Sequence, residues 1–198
     1  MKSRLFRLKL LLFVVVVLLV SLYRFGDVFP AKAQDPPLTH TVYLPLISRE
    51  ACLKNAQAKE IAQMMSNDPG QKRASLTCND TLAQVAQARA EDMAQRNYFS
   101  HTTPEGYGPN YFVRQAGYVL PSYYGTANDA NNVESIAAGR ETASQTWTQW
   151  MGSSGHKTHL LGLDAFFAEQ IEYGIGYAYN PNSTYRHYWV VITAKPGP

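Results

Sequence analysis

The C-terminal part of the chain has the strictest pattern, because alternate residues are apolar over a long stretch. From Gln170 to Tyr179 every second residue is apolar or aromatic, which is typical of a half-buried strand. A turn sequence follows at 180–183, and 187–193 runs back with Val190, Val191 and Ile192, so the two segments predict a β-hairpin. A hairpin that buries one face needs other elements of the chain to cover that face.

The covering elements are predicted to be helices. Apolar residues recur at helical spacing over 53–66, and again from Asn79 or Asp80, either a good N-cap, to about Arg96. Shorter helices are predicted at 112–116 and 141–151, with a loop at 118–132. Helices first and a hairpin last indicate the α+β class, with helices packed on an antiparallel sheet.

The first 33 residues have the features of a signal peptide. Four basic residues precede the 11-residue apolar run Leu10–Val20, and Ala31-Lys32-Ala33 has the small-x-small pattern of a cleavage site. Extended to Tyr23 the run has 14 residues, fewer than the roughly 20 that span a membrane. We therefore expect export with cleavage near Ala33, the alternative being a retained anchor. Residues 34–51, with three prolines, are expected to form an extended linker or surface arm.

The charge of the exported part differs from that of the whole chain. Residues 1–33 carry six of the 18 basic and one of the 15 acidic residues, which leaves 12 basic and 14 acidic residues and a formal charge of −2. A nucleic-acid-binding domain needs a basic surplus on one face, so this class of function is excluded. The remaining 165 residues suit one domain with a core of its own.

The two cysteines of the chain are Cys52 and Cys78. Because export implies an oxidising compartment, we expect one disulfide between them, and the alternative is a pair of buried free thiols. Two cysteines alone cannot form a structural zinc site, which needs four ligands.

Three short motifs place ionisable side chains at the edges of the predicted elements. The motifs and their candidate residues are Tyr98–Gly106 with His101, Val133–Ala137 with Glu134, and Trp150–His156 with His156. Gathered in one cleft, the two imidazoles could hold a divalent ion such as Zn²⁺, with Glu134 as a third ligand or as the partner that fixes a histidine tautomer. Alternatively, the three side chains hydrogen-bond one another and bind nothing tightly. His159 is expected to face solvent, although in a helical segment both His156 and His159 could face the cleft, because they are three positions apart.

Together these motifs resemble those of the CAP superfamily, the SCP-like extracellular domains, in its bacterial form. The matching segments are 88–106 at the end of the second helix, 133–139 for a G-E-N-I-A-like motif, 150–161 for W-m-x-S-x-G-H-R-x-N-I-L, and Gly174–Gly176 with Tyr188–Val190 in the hairpin. The resemblance covers about residues 53–194, in family order, and places the domain at 52–198. It implies an α-β-α sandwich, a central antiparallel sheet flanked by helices, with a cleft lined by His101, Glu134 and His156.

The chain departs from the family pattern at three positions. Ser153 stands where the fuller pattern has a second glutamate, and Ser135 and His159 stand where it has two asparagines. The first departure removes an acid that metal or general-base chemistry could use.

These features predict an exported binding or interaction module whose cleft binds either a divalent metal, with His101 and His156 as ligands, or a small or lipid ligand. No residue is assigned as catalytic. The expected partner is an unknown small molecule, lipid, glycan or protein at the cell surface, with membrane contact only through an uncleaved N-terminal segment. Two alternatives remain open. One is a metal-assisted hydrolase with Glu134 as base, and the other is a structural envelope protein with a vestigial cleft.

Overall fold

The predicted hairpin lies at the centre of a four-stranded sheet. The computed structural model describes Cys52 and residues 55–197, so the predicted signal peptide and linker lie outside the described residues. In chain order the elements are α1 (Ala56–Asn67), β1 (Thr77–Cys78), α2 (Asp80–Arg96), α3 (Pro109–Gln115), β2 (Glu134–Ala138), α4 (Ala143–Met151), α5 (Ser154–Leu161), α6 (Ala165–Ala168), β3 (Glu172–Tyr179) and β4 (His187–Ala194).

The strand order of the sheet is β1-β3-β4-β2. The hairpin strands β3 and β4 pair antiparallel, and β2 pairs antiparallel with the other side of β4, so that Glu134 lies opposite Ile192. The two-residue strand β1 pairs parallel with β3 and is an exception to the predicted antiparallel sheet. Because β2 is an edge strand, its outer side is open to the segments that build the cleft.

Helix α2 covers one face of the sheet. Its N-cap is Asn79, whose side chain accepts hydrogen bonds from the first turn, as the sequence predicted. The apolar stripe of the helix packs in one cluster with Ile136, Val190 and Ile192. The helix lies directly on β3, because a Cβ atom at Gly176 would be 2.3 Å from the backbone of α2. Only glycine allows a helix to approach a strand so closely.

Helices α1, α4 and α5 contribute to the core on the opposite face. Their buried side chains pack with those of β3 and β4, and Trp150 is only 1% exposed, as expected of a core residue. Helices on both faces of the sheet make the predicted α-β-α sandwich. Cys52 and Cys78 form the predicted disulfide. Within the part of the chain that the structure describes, no helix is both long and apolar enough to cross a membrane.

His156 lies on a helix that was not predicted from the sequence. The predicted helix 141–151 does end before His156, since α4 ends at Met151, but α5 begins at Ser154 and includes His156 in its first turn. Ser153 has the extended backbone of an N-cap, so a new helix starts almost at once after α4 ends. The histidine is therefore held on a helix rather than on a loop.

Candidate functional site

A cavity of about 280 Å³ opens at the start of the edge strand β2. The three predicted cleft residues His101, Glu134 and His156 all line it, and so do Ser135 and His159. The residues come from three separate segments of the chain, the turn after α2, strand β2 and helix α5. Such a volume lies just below the roughly 300–1,000 Å³ of most small-molecule sites. It suits a hydrated ion or a small polar ligand better than a lipid.

His101 is carried by the segment that leaves α2. The helix ends at Arg96, and the next residue, Asn97, adopts the left-handed conformation (φ 54°) and reverses the chain. The guanidinium of Arg89 then donates to the carbonyl oxygens of Ser100 and His101, at 3.0 Å each. These bonds hold His101 against the helix that it follows, while its side chain remains 41% exposed.

Glu134 is the buried anchor of the site. Its carboxylate is fully buried and contacts two partners, with Oε1 2.9 Å from Nδ1 of His101 and Oε2 3.2 Å from Nε of Arg89. Asn131 fixes the backbone, because its side-chain oxygen accepts from the Glu134 N–H at 3.0 Å. Since a carboxylate only accepts hydrogen bonds, Nδ1 of His101 must carry a proton. Nε2 of that ring is then the nitrogen left for a ligand.

Arg89 balances the buried charge of Glu134. Burial disfavours its charged form, but the attraction of Glu134 and the contact with Tyr98 outweigh burial, and the pKa of the guanidinium is raised. Arg89 also donates to the Tyr98 hydroxyl at 2.8 Å, and it is 2% exposed. Sequence reasoning gave Arg89 no role. A signal was present, because a basic residue on the apolar stripe of α2 requires a buried partner of opposite charge.

His156 faces the same cavity from α5. Its Nδ1 lies 2.9 Å from the hydroxyl of Ser153, the residue that replaces the glutamate of the family pattern. Burial lowers the pKa of His156, the nearby His101 lowers it further, and the carbonyl of Ile136 acts in the opposite direction. The ring is therefore biased toward the neutral form that binds metals.

His159 does not face solvent, so that expectation was wrong. The residue is 4% exposed and lies between Ser135 and Thr193, with Nδ1 2.6 Å from the Ser135 hydroxyl and Nε2 2.7 Å from the Thr193 hydroxyl. The helix α5 presents this side chain to the sheet, and sequence spacing alone could not show which face of the short helix is covered. Burial, with a smaller contribution from Arg73, lowers the pKa of His159 to about 3.

The donor set is smaller than that of a closed metal site. Across Cys52 and residues 55–197, no group of three or more His, Cys, Asp or Glu side chains is arranged to hold an ion. Glu134 is occupied by Arg89 and His101, so it serves as a partner of His101 rather than as a third ligand. What remains for an ion are two imidazoles and open coordination positions.

Comparison with known proteins identifies the architecture. The sequence profile of the cysteine-rich secretory protein family, CAP, matches residues 69–193. The chain belongs to the CAP family. The matched region includes every residue of the cleft, so the cleft is part of the CAP domain itself.

Relatives of this CAP domain include solved structures and an uncharacterised sequence. The uncharacterised protein YkwD of Bacillus subtilis is 33% identical over 86 residues, which is 43% of this chain and 30% of YkwD. The chain thus matches less than a third of that relative's length. An outer surface protein of Borrelia burgdorferi has the same fold, with a TM-score of 0.52 and 20% identity over 70% of this chain and 89% of the Borrelia protein. An extracellular SCP-domain protein of Bacillus anthracis is 22% identical, with a TM-score of 0.46, over 70% of this chain and 38% of that one.

Proposed function

We propose that this CAP domain is an exported binding module whose cleft binds one divalent cation, with Zn²⁺ the best match, through His101 and His156. The observation that carries the proposal is the 2.9 Å contact between the buried Glu134 carboxylate and Nδ1 of His101. A carboxylate on one nitrogen of an imidazole fixes the tautomer and raises the basicity of the other nitrogen, as in many zinc proteins.

The second imidazole supports the same ligand class. Nε2 of His156 is available to a ligand in the tautomer whose Nδ1–H donates to the Ser153 hydroxyl, 2.9 Å away. Imidazole pairs suit Zn²⁺ and neighbouring transition metals rather than Mg²⁺ or Ca²⁺, which prefer oxygen ligands. With two protein ligands, the ion would keep several positions for water or for a small ligand. We therefore expect weaker binding than in a four-ligand structural site.

Export is part of the proposal. It is supported by the predicted signal peptide and by the likeness of the fold to an outer surface protein of Borrelia burgdorferi. The disulfide between Cys52 and Cys78 also fits an oxidising compartment.

The geometry favours binding over hydrolysis with Glu134 as general base. Both oxygens of that carboxylate are engaged, one by Arg89 and the other by His101, and the side chain is fully buried. A general base needs hydrogen-bond access to the proton that it removes. Glu134 therefore supports His101 rather than a reacting water.

Zinc titration by calorimetry tests the proposal. We expect stoichiometric binding by the full chain, loss of binding in the His101→Ala/His156→Ala double variant, and weakening of about 10- to 100-fold in Glu134→Gln. The matched control is His187→Ala, because His187 lies in the hairpin and bonds Tyr177 outside the cavity. Absence of binding by the wild type would refute the proposal, and so would unchanged binding by the double variant. The latter result would place the ion elsewhere.

A further inference from the structure

Four buried polar residues form a continuous chain of hydrogen bonds beside the cleft. Ser135 contacts His159 at 2.6 Å, His159 contacts Thr193 at 2.7 Å, and Thr193 contacts Gln170 at 2.6 Å. None of the four residues is more than 4% exposed. Polar side chains this deeply buried need partners for all their hydrogen-bonding groups, and this network provides them.

The direction of every bond follows from one fixed end. The amide nitrogen of Gln170 donates to the carbonyl oxygen of Asn132 at 2.7 Å, so its amide oxygen faces Thr193 and accepts that hydroxyl proton. Thr193 must then accept from Nε2–H of His159. A neutral imidazole has one donor and one acceptor nitrogen, so Nδ1 accepts from the hydroxyl of Ser135. The network is complete with a neutral ring, and a second ring proton on Nδ1 would require the Ser135 hydroxyl to turn away and find another acceptor.

A serine donating to a histidine is also the arrangement found in serine hydrolases, but this pair is unsuited to that chemistry. The base of such a pair must take up the serine proton during the reaction. Burial and the positive charge of Arg73 lower the pKa of His159 to about 3, so the protonated ring is strongly disfavoured. The orienting partner is moreover a neutral hydroxyl rather than a carboxylate.

The contact instead joins the two elements that carry the two sides of the cleft. Ser135 follows Glu134 on β2, and His159 lies one turn after His156 on α5. Further side-chain anchors of α5 lie toward its end, where Arg73 donates to the carbonyl oxygens of His159 and Leu160 at 2.7 and 2.8 Å and Gln71 donates to that of Leu160 at 3.1 Å.

We propose that Ser135 and His159 are positioning residues, and that their hydrogen bond fixes helix α5, and thereby His156, beside Glu134 and His101. This inference deepens the proposed function and rests on it where metal affinity is measured. The bond to Ser135 links α5 to β2, whereas the bond to Thr193 links it to β4. The first bond therefore sets the width of the cleft.

Replacement of His159 by two different amides separates these bonds. The amide of His159→Asn reaches the place of Nδ1 and can keep the bond to Ser135, whereas that of His159→Gln reaches the place of Nε2 and can keep the bond to Thr193. We expect His159→Asn to retain the zinc affinity of the wild type, and His159→Gln to lose about tenfold or more. Thr193→Val is the matched control, because it breaks the network and lowers stability yet leaves the Ser135 contact in place. It should bind zinc normally.

Two outcomes separate this inference from the proposed function. Equal zinc affinity in the wild type, His159→Asn and His159→Gln would overturn the positioning role and leave the metal site intact. If the wild type binds no zinc, the amide hydrogen exchange of α5 still tests the role. Exchange across 156–161 should then be faster in His159→Gln than in His159→Asn at matched global stability, and equal exchange would overturn the inference.

Discussion

The buried imidazole of His159 should make the protein sensitive to mild acid. In the folded chain the ring is neutral, because burial and nearby positive charge lower its pKa to about 3, whereas in the unfolded chain the ordinary value is 6.5. Below pH 6.5 the unfolded state therefore binds a proton that the folded state excludes. Since stability rises with pH wherever the unfolded state binds more protons, this residue lowers stability as the pH falls.

The size of the effect follows from the two pKa values. Between pH 7.5 and pH 5, protonation of the unfolded ring costs about 2 kcal/mol of unfolding free energy, and the loss approaches about 1.4 kcal/mol per pH unit below that. The loss of unfolding free energy at pH 5 does not depend on the exact pKa of His159 in the folded state, provided that this pKa lies well below 5. Against a typical total stability of roughly 5–15 kcal/mol, the effect is large enough to measure.

Urea unfolding of the wild type and of His159→Asn at several pH values from 7.5 to 5 provides the assay. The variant should lose about 1–3 kcal/mol of unfolding free energy at pH 7.5, because it lacks the hydrogen bond to Thr193 and packs less well. This loss should not depend on pH. The difference in unfolding free energy between the wild type and His159→Asn should then shrink by about 2 kcal/mol on acidification, because only the wild type has the buried ring. His156, whose pKa is also lowered, contributes to both proteins and cancels. Parallel profiles would refute the account of His159 as a buried neutral ring.

Three further predictions concern the packing of the domain, each measured by the free energy of unfolding. Arg89→Met leaves the buried Glu134 carboxylate without its cation and should cost about 3–5 kcal/mol, so a loss below about 1 kcal/mol would contradict the anchoring role. Gly176→Ala places a Cβ 2.3 Å from the backbone of α2 and should cost about 3 kcal/mol. In the control Gly155→Ala, no atom lies within 4 Å of the added Cβ, and the protein should gain about 0.5–1 kcal/mol. Tyr188→Phe removes a buried hydroxyl that lacks a hydrogen-bond partner within the described residues, and stability should stay the same or rise by up to about 1 kcal/mol; a clear loss would reveal a partner for that hydroxyl.

The long elements could be predicted from the sequence because their burial pattern is periodic. The alternation from Gln170 to Tyr179 became β3, and the apolar spacing after Asn79 became α2 with that residue as its cap. Strand β2 was not predicted. It has five residues and is buried on both faces for most of its length, so no alternation marks it. The strand that carries Glu134 thus has little local signal in the sequence.

The residues of the site were only partly predictable, because burial against a distant part of the chain leaves no local pattern in the sequence. His101, Glu134 and His156 were named from their motifs, and the structure brings them to one cavity. Arg89 and His159 were not assigned to the site, although one clamps Glu134 and the other bonds Ser135. Their importance depends on which face of a helix is covered.

The sequence by itself determined the long elements α1, α2, β3 and β4, the capping of α2 and the residue types available for chemistry, because those depend on neighbours within a few positions. The tertiary structure alone decided which donors meet. Hydrogen bonds such as those of Glu134 with Arg89, or of Ser135 with His159, join residues 45 and 24 positions apart. Contacts of that separation form only when helices dock on the sheet, and burial there, rather than sequence context, keeps the His159 ring neutral.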